Sequence, residues 1–66
     1  MLDNCSYNKV KLMAELSKIT WFLEKHAIDD AKKAGDKEAE SLLRELHKDT
    51  SNYLEKLQKQ VCTVSQ

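Results

Sequence analysis

The chain has 66 residues with one glycine, no proline and two cysteines, and its 11 Lys and Arg balance 11 Asp and Glu. A chain this short buries only about 60% of the surface it exposes when unfolded, so one domain of marginal stability is the limit unless assembly adds to it. Zero net charge supplies no field to draw phosphate backbones or anionic lipid, and no run approaches the roughly 18 apolar residues of a membrane span. A membrane protein is therefore not expected, nucleic acid is disfavoured, and with no signal-like segment the cytoplasm is the expected location.

The chain begins with capping residues: Asp3, Asn4 and Ser6 can each accept a bond from an unpaired helix amide. A first helix is predicted over about 6–34. Cys5, Leu12, Leu16, Ile19, Leu23, Ala27 and Ala34 recur at spacings of three, four and seven and form its main apolar stripe, widened by Met13, Thr20 and Ala31. A second apolar rhythm runs through the same helix. Tyr7, Val10, Ala14, Trp21 and Ile28 lie roughly 150° around from the main stripe by the 100°-per-residue rule. Since a surface helix is polar there, the expectation is a helix sandwiched between its own partner helix and a second subunit or another protein.

Gly35 lies near the midpoint, after Lys32 and Lys33, which suit a helix C-terminus. Asp36 caps the second helix, and Glu38 enters its first turn, where the dipole favours acids. The turn is predicted at 34–36 and the second helix over about 37–62. Ala39, Leu43, Leu46, Thr50, Tyr53, Leu57 and Val64 make its stripe, with Leu42, Leu54 and Val61 at the flanks. The fold class is all-α: an antiparallel two-helix hairpin, a single domain over 1–66, dimerising into a four-helix bundle. Leu12, Leu16, Ile19, Leu23, Leu43, Leu46, Tyr53 and Leu57 are assigned to the core or dimer contact. Tyr7, Val10, Ala14, Trp21 and Ile28 are assigned to a partner interface.

Few residues suggest chemistry. Folding back at Gly35 brings Cys5 and Cys62 to one end, but Cys5 lies on the main stripe while Cys62 falls toward the polar side of its helix, so two free thiols are expected rather than a disulfide. His26, Asp30 and His47 are the candidate metal ligands, because the turn reflects His47 to within about one helical turn of His26. Such triples arise by chance in helices rich in acids and lysines, and no cofactor is expected. Ser17, Ser41, Thr50 and Ser51 are mid-helix, without a strained elbow or glycine-rich loop, so the chain is not expected to be an enzyme.

The stretch Ala31-Lys32-Lys33-Ala34-Gly35-Asp36-Lys37-Glu38-Ala39, followed by Leu42-Leu43-Arg44-Glu45-Leu46, resembles the helix-turn-helix half of ferritin-like and rubrerythrin-type bundles. The resemblance implies a four-helix bundle completed by a second hairpin. In that family a Glu on the first helix and a Glu-x-x-His on the second hold a di-iron centre. Counted from Gly35, those positions here are Ser17, Thr50 and Tyr53, so the resemblance implies the fold without the iron chemistry. Predicted architecture alone is also similar to the plasmid repressor-of-primer protein, a hairpin dimer that recognises RNA, and Lys9, Lys11, Lys18 and Lys25 lie near Trp21. Glu15 and Glu24 border those lysines. The expected function is therefore a small homo-oligomeric bundle with a structural or protein-interaction role, with RNA binding or metal binding as the alternatives.

Overall fold

The computed structural model describes residues 3–64, with side chains over 3–61. All regular structure among those residues is helical. Helix α1 spans Asn4–Phe22, a π-helical turn Leu23–Ala27, α2 Ile28–Lys33 and α3 Lys37–Val64. The first three are coaxial segments of one arm, and α3 is the other.

Each boundary has a local cause. Asp3, in extended backbone, accepts the Ser6 amide on its carboxylate at 2.7 Å and so starts α1. At the other end of the arm Gly35 takes φ 74°. The Gly35 amide bonds the Lys32 carbonyl and the Asp36 amide bonds the Ala31 carbonyl, both at 3.1 Å, which is the Schellman arrangement. Asp36 then starts α3 by accepting the Ala39 amide at 3.0 Å. The same residue thus closes one helix through its amide and caps the next through its carboxylate, which makes the reversal tight.

The two arms touch along a stripe narrower than the apolar arc of the sequence. On the first arm Met13, Leu16, Thr20, Leu23, Ala27, Ile28 and Ala31 are half-buried or buried; on α3 the covered positions include Leu43, His47, Thr50, Leu54, Leu57 and Val61. Leu16, Leu23, Leu43 and Leu57 therefore serve the hairpin contact itself. Leu12, Ile19, Leu46 and Tyr53, assigned to the same core or dimer set, remain 44–59% exposed. The cause is geometric: two cylinders in contact cover one seam of about two residues per turn, whereas the apolar arc of each arm is wider.

Periodicity does not predict the π turn, but the burial pattern explains it. Leu16 and Leu23 are seven apart, and a regular helix would next present Asp30 to α3. Instead the Ile28 amide bonds the Leu23 carbonyl five residues back, which inserts one extra residue into the turn. Ile28 and Ala31 are then carried toward α3, and Asp30 stays exposed. One interrupted hydrogen bond costs less than seating a carboxylate between helices. For Ile28 this is a relocation from the face it shares with Trp21 in the sequence pattern to the side facing α3.

Among the described residues Leu23 is the single buried apolar side chain, at 3% exposure, and Thr50 the single buried polar one. The molecule measures 48 × 15 × 14 Å, with a radius of gyration of 14.8 Å. A compact chain of this length would have about 11 Å. A pair of helices has no interior, and this one leaves most of its apolar surface outside.

Candidate functional site

Relative to the contact stripe, the hairpin has two flanks. Among the residues one position before the stripe are Leu12, Ile19 and Phe22 on α1 and Leu42, Leu46 and Tyr53 on α3, interleaved with the charged Glu15, Asp49 and Lys56. Each step along a helix turns the side chain by about 100°, and because the arms run antiparallel, the preceding position points to the same flank on both. Residues one position after the stripe point to the other flank.

That other flank is polar where the arms meet. Glu24, Asp29, Lys32 and Arg44 each come one position after a stripe residue, and together with Ile28 and His47 they line an open groove of about 470 Å³. His47 Nε2 and Glu24 Oε1 are 2.7 Å apart across the groove, and Arg44 donates to Glu40 at 2.8 Å. The acids Glu24 and Asp29 thus share this space with Lys32, Arg44 and His47.

The centre of the contact stripe carries a polar step. The Thr20 hydroxyl donates to Thr50 Oγ1 at 3.2 Å, and Thr50 donates to the His47 carbonyl at 3.1 Å. Among the described residues no buried side-chain N or O lacks a partner. The threonine pair is therefore a satisfied core contact that fixes which turn of α1 faces which turn of α3.

Around the outside of the first arm, at the π turn, lies an aromatic cluster. His26 packs edge-on against Trp21, with ring centroids 5.3 Å apart, and lies 5.6 Å from Phe22. Residues five apart are stacked neighbours only where the helix widens to a π turn. Trp21 and Phe22, 54% and 55% exposed, border an apolar hollow with Ser17 and Lys18. Tyr7, Val10 and Ala14 are also exposed, on the flank of α1 that carries Trp21, while the described part of α3 contributes only polar residues to that flank.

The candidate ligands do not converge. His26 is held by Trp21 and Phe22 outside the first arm, His47 by Glu24 in the groove, and Asp30 is exposed. No cluster of three or more His, Cys, Asp or Glu suited to a metal occurs among the described residues. Ser17 and Tyr53 are exposed and Thr50 is inside the contact, so the three positions picked out by the ferritin-like resemblance do not face a common point. Cys5 is exposed. The side chain of Cys62 lies outside the described residues, and with it the pairing question.

The informative features are therefore the exposed apolar surfaces. Sequence periodicity finds their members but cannot sort them, because Leu12 and Leu16 fall within one stripe at helical resolution and only the position of α3 separates inner from outer. The signal that does separate them is the offset of one residue before or after the polar pair Thr20 and Thr50. No helix among the described residues is long and apolar enough to cross a membrane. Compared with protein-family profiles, curated proteins and solved structures, the chain matches none.

Proposed function

We propose that this chain is the protomer of a small helical bundle with a structural or protein-interaction role, its two-helix hairpin completed by association. The observation that carries this reading is the imbalance of burial. Leu23 alone is buried among the described apolar residues, while Tyr7, Leu12, Ile19, Trp21, Phe22, Leu42, Leu46 and Tyr53 are each 44% exposed or more. Soluble monomers rarely expose contiguous apolar patches beyond a few hundred Å². A helix apolar on several sides, as α1 is, belongs between other elements rather than at a surface.

A four-helix bundle of two hairpins is the smallest assembly that gives the pair of helices an interior. The Tyr7, Val10, Ala14 and Trp21 flank of α1 is then available for a further protein contact. Surface ion pairs add little to such an assembly: Lys33–Asp29 at 3.0 Å and Lys18–Glu15 at 3.8 Å are exposed pairs within one helix, screened by solvent. Multi-angle light scattering on the full chain at micromolar concentration tests the reading. A mass of twice the 7.6 kDa chain, or a higher multiple, is expected; a stable, folded species at 7.6 kDa would refute it.

A further inference from the structure

We infer that the flank formed by Leu12 and Ile19 of α1 with Leu42, Leu46 and Tyr53 of α3 is the face on which a second copy of this chain docks. The inference rests on the oligomeric reading above and deepens it by naming the surface.

Three observations select this flank. First, it carries large exposed apolar side chains on both arms, with the charged Glu15, Asp49 and Lys56 interleaved among them. The opposite flank is apolar on α1 alone and carries Glu24, Arg44 and His47 where the arms meet. Only the Leu12 side offers a two-helix-wide apolar strip, which is the shape that another antiparallel pair presents. Second, its size fits. The five side chains are 44–66% exposed and together present on the order of 500 Å², so a self-complementary pair buries about 1,000 Å², the lower bound for a stable specific interface. A patch of about 500 Å² is also near the largest found on ordinary monomers.

Third, its rim suits a copy of the same chain. By the same rotation Glu15, Asp49 and Lys56 share the flank with the apolar side chains, Lys11 lies beside Leu12, and Lys56 Nζ lies 5.0 Å over the Tyr53 ring. Both signs are present, and the chain carries no net charge, so bringing two copies together creates no like-charge field. The strip also runs alongside the covered stripe of the hairpin, which extends from Met13 to Ala31 on the first arm. A second copy placed there turns a seam into a core. The Trp21 hollow and the His47–Glu24 groove stay outside the resulting bundle.

The test compares three forms of the full chain by light scattering: wild type, the Ile19→Glu and Leu46→Glu double variant, and Trp21→Glu. Wild type and Trp21→Glu are expected at twice 7.6 kDa, and the double variant at 7.6 kDa or unfolded. Tyr53→Lys provides a milder probe, since Tyr53 is 59% exposed and its loss leaves the contact stripe intact; it is expected to raise the dimer dissociation constant at least tenfold. Isotope-filtered NMR on mixed labelled and unlabelled wild type needs no variant, and intermolecular contacts are expected at the Leu12, Ile19, Leu42 and Leu46 methyls. Intermolecular contacts at the Trp21 indole instead, or a double variant that remains dimeric, would overturn the face while leaving the oligomer standing. A monomeric wild type would overturn the oligomeric reading itself.

Discussion

Replacing Thr20 and Thr50 by valine, singly and together, probes what holds the two arms in register. Thr50 is 9% exposed, and its hydroxyl both receives the Thr20 hydroxyl and donates to the His47 carbonyl. Thr50→Val removes both bonds and leaves the Thr20 hydroxyl in a partly buried position without its partner, a loss of about 1–2 kcal/mol. Thr20→Val leaves Thr50 its donation to His47 and removes only one acceptor contact, so about 0.5–1 kcal/mol is expected. The double variant joins Leu16, Val, Leu23 on one arm to Leu43, Val, Leu54 on the other, and burying two methyl groups offsets the lost bonds to within about 1 kcal/mol of wild type. The two single losses should therefore exceed the double loss, with a coupling energy of about 1 kcal/mol. Urea unfolding followed by circular dichroism measures it, at one fixed protein concentration because association raises apparent stability. A coupling below about 0.3 kcal/mol would show that the hydroxyls act independently and would refute the register argument.

Three further outcomes concern the turn, the core and the cap. Gly35→Ala should lower stability by about 1–2 kcal/mol, the cost of the left-handed conformation for a residue with a Cβ. No neighbouring atom lies within 4 Å of that Cβ, so Gly35→Asn should recover most of the loss; equal losses in the two variants would point to a steric cause instead. Leu23→Ala should cost about 2–3 kcal/mol, at the low end for a buried leucine because the half-exposed neighbours can close over the gap. That is most of what a chain this small possesses, so a shallow, uncooperative thermal transition is expected, and a sharp unchanged one would show that the stability resides elsewhere. The Ser6 amide bonded to Asp3 holds its carboxyl below the ordinary value of 3.8. A depressed value means that the folded state favours the carboxylate, so the cap is in place above that range and is lost as pH falls through it. The Ser6 amide resonance should track this titration in wild type and stay flat in Asp3→Asn.

The turn is the most legible part of the sequence, because each of its residues acts through its own local chemistry: Gly35 through φ, Asp36 through a carboxylate oxygen, and the lysines before it through the helix end. The all-helical class is legible for the same reason, with no proline to interrupt either arm. The division of the apolar residues is not. Leu12 and Leu16 belong to one stripe by spacing, and only the placement of α3 sends Leu16 inward and leaves Leu12 outside. Ile28 shows the limit more sharply, since a constant 100° per residue places it beside Trp21 and the π turn carries it to the groove with Arg44 and His47. Periodicity assumes a uniform helix, and the competition between Asp30 and Ala31 for the side facing α3 breaks that uniformity. The contact of His26 with Trp21, five residues back, exists because that assumption fails, whereas its contact with Phe22, four residues back, is one an ordinary helix makes.

The widened turn at Leu23–Ala27 also bears on the length of the chain rather than its composition. The first arm holds one residue more between Leu23 and Ile28 than an ordinary helical turn needs. Such an arm should accept the removal of one. Deleting Lys25 would return the segment to an ordinary helical repeat, keep Ala31 and the Gly35 turn in their present phase against α3, and leave His26 four residues from Trp21 and three from Phe22, the spacing of neighbours on an ordinary helix face. A deletion variant that retained the Thr20 and Thr50 hydrogen bond by NMR would identify the extra residue as dispensable to the hairpin.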